Sequence, residues 1–158
     1  FSAISPRRDF SSPSQRRPAC DVAIVGGGVI GASVALHLAA VSGGTKRITV
    51  FESDSTYSKA SGPRSAGGIR QQFSLPVNVE LSIYGVDFLK KGLAEICEGV
   101  DVDTDVQFQE NGYLLLATKD GEAVLRENVA TQHAAGANWI KLLEPAELKA
   151  RFPWLSVE

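Results

Sequence analysis

The segment DVAIVGGGVIG, Asp21 to Gly31, decides the fold of this chain. Val22 to Val25 form a short apolar run, which predicts a strand buried on both faces. Glycines follow this run, and the stretch from Val34 to Leu38 continues with the apolar pattern of a helix. A strand, a glycine-rich turn and a helix in this order are typical of the first βα unit of a dinucleotide-binding domain.

The glycines of the G-x-G-x-x-G pattern each meet a separate requirement of such a site. Gly26 permits a tight turn, Gly28 lets the backbone approach a pyrophosphate, and Gly31 lets the helix pack closely on the strand. We expect the phosphates beside Val29 and Ile30, where the helix begins. Unpaired N–H groups and the positive end of the helix dipole favour an anion there.

A second apolar strand, predicted from Ile48 to Phe51, leads into an acid, Glu52, with Ser53 next to it. A carboxylate at this point can accept hydrogen bonds from the adenosine ribose and would repel a 2′-phosphate. The pattern therefore favours FAD or NAD over NADP. A glycine-rich turn without a ligand is the alternative, but strand, glycines, helix, second strand and acid all follow in the expected order.

The chain has 158 residues, of which 44% are hydrophobic, and a formal charge of -2, values typical of a globular protein. They do not indicate binding to nucleic acid, and no apolar run is long enough for a transmembrane segment. Cys20 and Cys97 are isolated, which favours two reduced structural thiols. The aspartates from Asp101 to Asp105 imitate the start of an EF-hand loop, but Val106 stands where the turn glycine belongs, so no metal site is predicted.

Residues 1–19 differ from the rest of the chain. They hold four arginines against a single acid, with five serines and three prolines. This composition is typical of an organelle transit peptide, and a disordered tail without a targeting role is the alternative. Because the chain opens on Phe1 instead of methionine, we expect its true N-terminus to lie upstream.

Beyond Glu52 the chain does not continue as further βαβ units. A loop rich in small and basic residues runs from Ser58 to Ser74, and a long helix follows. Apolar residues at helical spacing, from Val79 to Ile96, mark its buried face, while Gly85 and Gly92 weaken it locally.

Past the helix the pattern changes from helical to alternating. From Val100 to Phe108, β-branched or apolar residues occupy every second position, which predicts a strand. Asn111 and Gly112 then predict a type I′ turn into a second strand, YLLLAT. Antiparallel pairing combined with helices indicates an α+β unit. The remaining predicted elements are a helix from Glu122 to Ala134, a short strand from Trp139 to Leu142, and a short helix opened by Glu144 and Pro145 and ended at Phe152 and Pro153.

These parts together carry a family resemblance. GGGVIG, the acid after RITVF, SGPRSAGGIRQQFS, the long helix, FQENGYLLLAT and ELKARFPWL closely resemble the N-terminal part of the D-amino-acid oxidase-like (DAO) FAD-dependent oxidoreductases. The resemblance implies the α/β class: the N-terminal part of a Rossmann-like FAD-binding domain, with the start of an inserted α+β substrate domain. We expect residues 1–19 to be transit-peptide-like, 20–75 to bind FAD, and 76–158 to begin the substrate domain.

The resemblance also assigns site residues. The loop from Ser61 to Ile69 resembles the segment beside the flavin, where Gly67 and Gly68 would allow close approach. Arg70 matches an arginine that pairs with the substrate carboxylate in sarcosine-oxidizing relatives, through two parallel hydrogen bonds. A solvated or phosphate-facing arginine is the alternative, and Arg64 is a weaker candidate. The predicted cofactor-binding residues are Gly26, Gly28, Val29, Ile30, Gly31, Glu52, Ser53, Ser61, Gly67 and Gly68, and the predicted catalytic residue is Arg70.

The function that the resemblance implies is FAD-dependent oxidation of an amine or amino-acid-like substrate, with hydride transfer to flavin N5. Within the family the likeness is strongest to a mitochondrial branch associated with respiratory complex I assembly. The alternative is therefore a flavoprotein assembly factor or scaffold, with complex I assembly intermediates as partners. The expected location is the mitochondrial matrix or the matrix side of the inner membrane, with a plastid less favoured. We expect this chain, about a third of such an enzyme, to be inactive alone.

An NAD-dependent dehydrogenase is a third interpretation. It is disfavoured because the long helix and the predicted hairpin interrupt the parallel sheet that an NAD-binding domain would complete.

Overall fold

The computed structural model describes residues 20–156, and the chain divides into two compact units between Gly67 and Gly68. The predicted transit-peptide segment, residues 1–19, lies outside the described residues. No helix in residues 20–156 combines the length and the apolar character needed to cross a bilayer.

The first unit is built on a βαβ element. Strand β1, Val22–Val25, pairs in parallel with strand β2, Ile48–Phe51, with Val22 opposite Ile48. Both strands have the predicted bounds. Asp21 holds the start of the pair, because its backbone N–H donates to the Arg47 carbonyl at 2.9 Å and its carboxylate accepts from the Arg47 N–H at 2.8 Å. The two strands therefore begin in a fixed register.

Helix α1, Val29–Val41, connects the two strands and packs against both. It ends where Gly43 and Gly44 adopt positive φ angles of 57° and 73°, and the Gly44 N–H donates back to the Ala39 carbonyl at 3.0 Å. Glycine suits this helix ending because it has no Cβ to oppose a left-handed backbone.

The burial of β1 corrects one expectation. The strand was predicted to be buried on both faces, yet its residues alternate between half-buried and exposed, and Val25 is 91% exposed. The reason is that, among residues 20–156, the sheet has two strands and α1 packs on one of its faces. An unbroken apolar run identifies the strand without showing that both faces are covered.

The second unit begins with the long predicted helix, which is confirmed but not uniform. Helix α2, Pro76–Asp87, continues through a π-helical turn, Phe88–Gly92, into the short helix α3, Leu93–Ile96. The wider turn ends at Gly92, where a Cβ would lie only 3.2 Å from the Phe88 ring. The glycine predicted to weaken the helix thus makes room for an aromatic side chain.

The core of the second unit lies between α2 and helix α4, Glu122–Ala134. Val79 of α2 and Ala137 after α4 are fully buried. Gln132 is also buried, and its side-chain amide donates to the Phe73 carbonyl at 3.1 Å. That bond ties the chain before α2 to α4.

The predicted hairpin is wrong, because residues 100–118 form no strand ladder. The Asp103 carboxylate accepts from the Asp105 N–H at 2.9 Å, and the Asp105 carboxylate accepts from the Gln107 N–H at 2.7 Å. Gln107 itself has a φ of 52°. The Asp103 and Asp105 side chains are exposed, and their bonds to the local backbone compete with strand pairing.

The predicted type I′ turn is also wrong. Such a turn needs positive φ at both central residues, but only Gly112 has it, with a φ of 75°, and Asn111 does not. An isolated two-stranded hairpin is at best marginally stable, so a turn sequence alone does not secure it.

The predicted strand from Trp139 to Leu142 is likewise wrong, since these residues form a turn and an irregular segment. Local bonds account for this. The Ile140 N–H donates to the Ala137 carbonyl at 3.2 Å, and the Ile140 carbonyl lies 2.7 Å from a ring nitrogen of His133. Backbone groups bound in this way are not available to a neighbouring strand.

Two predicted helices are confirmed. Helix α4 has the predicted bounds, and helix α5, Pro145–Arg151, begins with a capping box between Glu144 and Glu147. Arg126 of α4 joins the two helices, because it contacts Glu122 at 2.9 Å and Glu144 at 2.6 Å.

We predict that Val79→Ala lowers the free energy of unfolding by about 2 kcal/mol, because it leaves a cavity in a fully buried position. Val77→Ala, on the same helix but 54% exposed, should change it by less than about 0.5 kcal/mol. Urea unfolding of the two variants measures the difference. Equal effects would show that Val79 is not a core residue.

Candidate dinucleotide-binding site

The glycine turn leaves the sheet at Gly26. Its N–H donates to the Phe51 carbonyl at 2.8 Å, so it extends the β1–β2 ladder by one bond, and its φ of 98° then redirects the chain. A Cβ on Gly26 or Gly28 would meet no atom within 4 Å. The space beside Gly28 is thus open to a ligand.

Gly31 lies at the closest approach of α1 to β1. A Cβ at this position would overlap the Gly26 carbonyl oxygen and lie 3.3 Å from Cγ2 of Ile24. Any side chain would force the helix away from the strand. Packing alone therefore requires glycine here.

The start of α1 offers several backbone donors. The first intrahelical bond joins the Ala32 N–H to the Gly28 carbonyl at 2.9 Å, so the N–H groups of Val29, Ile30 and Gly31 precede the ladder. The side chains of Val29 and Ile30 are 77% and 78% exposed. Such a terminus can hold a phosphate through its N–H groups and its dipole.

Glu52 is bound to the glycine turn and to the loop that follows it. One carboxylate oxygen accepts from the Gly27 N–H at 2.7 Å, and the other accepts from the Asp54 N–H at 2.9 Å and the Ser53 hydroxyl at 3.3 Å. The backbone bond from Asp54, followed by that from Gly27, lowers the pKa of Glu52 below its ordinary value. The ionised carboxylate therefore joins the end of β2 to the turn after β1.

Sequence reasoning missed Gly27 and Tyr57. The Tyr57 hydroxyl donates to the Gly27 carbonyl at 3.1 Å. A Cβ on Gly27 would lie 3.1 Å from that hydroxyl and 3.2 Å from the Cβ of Glu52. The unbroken GGG was the available signal for Gly27, because the G-x-G-x-x-G pattern leaves that position open. Tyr57 lies thirty residues away, and nothing in its neighbours indicated the contact.

Asp54 organises the loop that carries Tyr57. One of its carboxylate oxygens accepts from the hydroxyl and N–H of Thr56, at 2.6 and 3.0 Å, and the other accepts from those of Ser58, at 2.7 and 2.9 Å. The side-chain bonds from Thr56 and Ser58 are the main reason that the pKa of Asp54 falls from 3.8 to about 2.

The loop after Ser58 closes the first unit. Ser61 precedes a single 3₁₀ turn, Gly62–Arg64, and the Arg64 guanidinium donates to the Ser58 carbonyl at 2.6 Å. Arg64 therefore anchors its own loop. Gly67, at the end of the unit, has a φ of 67° and open space around its Cβ position.

The structure thus brings most of the predicted cofactor-binding residues into one unit. Gly68 and Arg70 belong to the second unit. There a Cβ on Gly68 would overlap the Tyr113 hydroxyl, so the close neighbour of Gly68 is a side chain of its own unit. The residues that share the first unit are Gly26, Gly28, Val29, Ile30, Gly31, Glu52, Ser53, Ser61 and Gly67.

Arg70 lines a cavity of about 500 Å³ in the second unit. Its guanidinium lies 4.8 Å from the centre of the Phe73 ring, and its carbonyl accepts from the Ser82 hydroxyl at 2.5 Å. Lys141 and Arg151 line the same cavity, and no acidic residue does so among those described. The cavity is therefore cationic.

A family comparison decides how these features are to be interpreted. The model of the family described as FAD dependent oxidoreductase (DAO) matches residues 21–158. The chain belongs to the DAO family. The resemblance inferred from the sequence is confirmed, and the DAO family implies a Rossmann-like FAD-binding fold.

Individual relatives agree with the family match. The chain is 45% identical over 140 residues to "FAD-dependent oxidoreductase domain-containing protein 1" of Bos taurus, covering 87% of this chain and 29% of that protein. It is 41% identical over 159 aligned positions to the Xenopus laevis protein of that name (99% and 30%), and 34% identical over 151 to the Drosophila melanogaster homolog (96% and 28%). The DAO chain thus spans less than a third of these relatives' length. No solved structure matches it significantly.

The residues present fit the ADP half of FAD, the cofactor that the DAO family implies. Gly28 leaves open space where a phosphate would approach, and α1 begins with N–H groups outside its ladder. The Glu52 oxygen that accepts from the Gly27 N–H makes one of the two bonds open to a carboxylate oxygen, so it can also accept from a ribose hydroxyl.

We predict that Glu52→Ala in the full-length protein raises the Kd for FAD by about tenfold to a hundredfold, since hydrogen bonds to charged groups contribute about 1.5–3 kcal/mol. Glu52→Gln keeps an oxygen acceptor and should show a smaller increase. Quenching of FAD fluorescence by the apoprotein measures both. An unchanged Kd in Glu52→Ala would contradict the ribose assignment.

We predict that the Asp54 carboxyl titrates with a pKa of about 2. Because folding lowers this pKa, the stability that the ionised group contributes is present above pH 3.8 and is lost as the pH falls towards about 2. Thr56→Ala removes the main cause and should move the NMR-detected midpoint towards 3.8, whereas Thr45→Ala, in the connection between α1 and β2, should not. A midpoint near 3.8 in the unaltered protein would show that Thr56 and Ser58 do not hydrogen-bond to the Asp54 carboxylate.

Proposed function

We propose that the full-length protein is a DAO-type flavoenzyme that oxidises an amine or amino-acid-like substrate. The observation that carries the proposal is the coincidence of the family match over residues 21–158 with a glycine turn that is open at Gly28 and bound by Glu52. FAD, when bound, would accept a hydride equivalent at N5 from the carbon beside the substrate nitrogen.

The first unit would hold the nucleotide end of the cofactor. N–H groups at the start of α1 would bind the pyrophosphate, and Glu52 would accept from the ribose hydroxyls. The carboxylate is already oriented by the Gly27 N–H and the Asp54 N–H. Binding would therefore require little reorganisation of this part of the site.

Arg70 would hold the substrate carboxylate. Among residues 20–156, no carboxylate lies within ion-pair distance of its guanidinium, and the cavity that it lines contains two further cations, Lys141 and Arg151. Packing over Phe73 leaves the edge of a guanidinium able to donate two parallel hydrogen bonds. A carboxylate held in this way has one orientation, which is what hydride transfer needs.

A second proposal is that the protein is a mitochondrial flavoprotein assembly factor or scaffold for respiratory complex I, with little or no turnover. Its support is the sequence resemblance together with the arginine-rich, acid-poor composition of residues 1–19. Anaerobic bleaching of the flavin absorbance by candidate amines separates the two proposals. Reduction by a substrate supports the enzyme, whereas partner binding without reduction by any amine supports the scaffold.

We predict that Arg70→Ala in the full-length protein leaves the FAD content unchanged and weakens binding of a carboxylate-bearing substrate by about tenfold to a hundredfold, because a charge-assisted bond is lost. Arg70→Lys keeps the charge but not the paired geometry and should fall between. Flavin spectral titration with the substrate measures each affinity. Equal affinities in Arg70→Ala and the unaltered protein would refute the carboxylate role.

A further inference from the structure

The Gly27 residue is held by side chains on both of its backbone polar groups. Its N–H donates to Glu52 at 2.7 Å, and its carbonyl accepts from Tyr57 at 3.1 Å. All peptide bonds of the described residues are trans, so the C=O and N–H of each peptide point to opposite sides. The Gly28 N–H therefore lies on the opposite side of the chain from the Tyr57 hydroxyl.

Tyr57 is itself fixed by its loop. Its φ is 54°, a left-handed value that side-chain-bearing residues rarely adopt. The Asp54 carboxylate binds both chain neighbours of Tyr57, and the Tyr57 N–H donates to the Asp54 carbonyl at 3.0 Å. Surroundings that impose so unusual a conformation are characteristic of functional sites. The loop thus holds the phenol against the glycine turn.

We propose that Tyr57, held by the loop that the Asp54 carboxylate organises, is a positioning residue of the dinucleotide site. Its hydroxyl fixes the Gly27 carbonyl and thereby leaves the following N–H, that of Gly28, turned away from it and towards a phosphate. The inference rests on the proposed function, because it takes the bound group to be FAD.

The sequence explains why such a fixing group is needed. Gly26, Gly27 and Gly28 are consecutive, and three glycines together can adopt many backbone conformations. A peptide free to rotate would present a carbonyl oxygen to the pyrophosphate in part of its ensemble. Fixing the peptide before binding removes that cost, so the contribution of Tyr57 is one of preorganisation.

The experiment is FAD release from the full-length holoprotein, followed by the rise in FAD fluorescence. Tyr57→Phe deletes only the hydroxyl and should speed release by about threefold to tenfold, the equivalent of one hydrogen bond. The melting temperature of the apoprotein should not change. Tyr84→Phe, which removes a phenolic hydroxyl from α2, is the matched control and should release FAD at the unaltered rate.

Asp54→Asn tests the loop, because an amide cannot accept from both Thr56 and Ser58 through two ionised oxygens. It should speed release in the same direction. Combined with Tyr57→Phe it should add nothing further, since Asp54 acts through the tyrosine. Additive effects of the two variants would overturn this route.

The outcomes separate the inference from the proposed function. If the unaltered protein binds no FAD, the proposed function fails. If it binds FAD and Tyr57→Phe releases it at the unaltered rate, the positioning role of Tyr57 is overturned while the proposed function stands. A lowered apoprotein melting temperature with unchanged FAD release would assign Tyr57 to folding alone.

Discussion

The bond from the Gly27 N–H to the Glu52 carboxylate is the constraint on which the first unit depends. It joins the turn after β1 to the end of β2, at the edge of the sheet where a ligand of a doubly wound fold binds. At the other edge, Asp21 and Arg47 hold the same two strands in register. The sheet is thus fixed at both ends, and α1 can pack on it with no side chain at Gly31.

Negative charge lies at the end of β2 and in the loop that follows it, at Glu52 and Asp54. Glu52 and Asp54 both have lowered pKa values because backbone and hydroxyl donors surround their carboxylates. The start of α1, in contrast, contributes N–H groups and the positive end of a dipole, with no acid in its first turn. A pyrophosphate is therefore favoured at α1, while a 2′-phosphate beside Glu52 would be repelled. The same carboxylate is the basis of the expectation that the site takes FAD or NAD in preference to NADP.

The elements that could be predicted are those specified by local pattern. The bounds of β1, β2 and α4 follow from apolar runs and end signals, and they were predicted correctly. The predicted hairpin was wrong because alternating apolar and polar residues at 100–108 are equally compatible with polar side chains that bond to the local backbone. Asp103 and Asp105 do so. The Tyr57 contact could not be predicted because it joins residues thirty positions apart.

Position 27 shows how such a distant contact determines a local choice of residue. The G-x-G-x-x-G pattern allows any side chain between its first two glycines, because that position meets no ligand in the pattern itself. In this chain a Cβ at position 27 would lie 3.1 Å from the Tyr57 hydroxyl and 3.2 Å from the Cβ of Glu52, so these side chains would have to shift slightly. Glycine at position 27 is therefore favoured by the protein's own side chains. Three consecutive glycines leave the backbone free to bring Gly27 into contact with Tyr57 and Glu52. Once formed, these contacts hold the turn in one conformation.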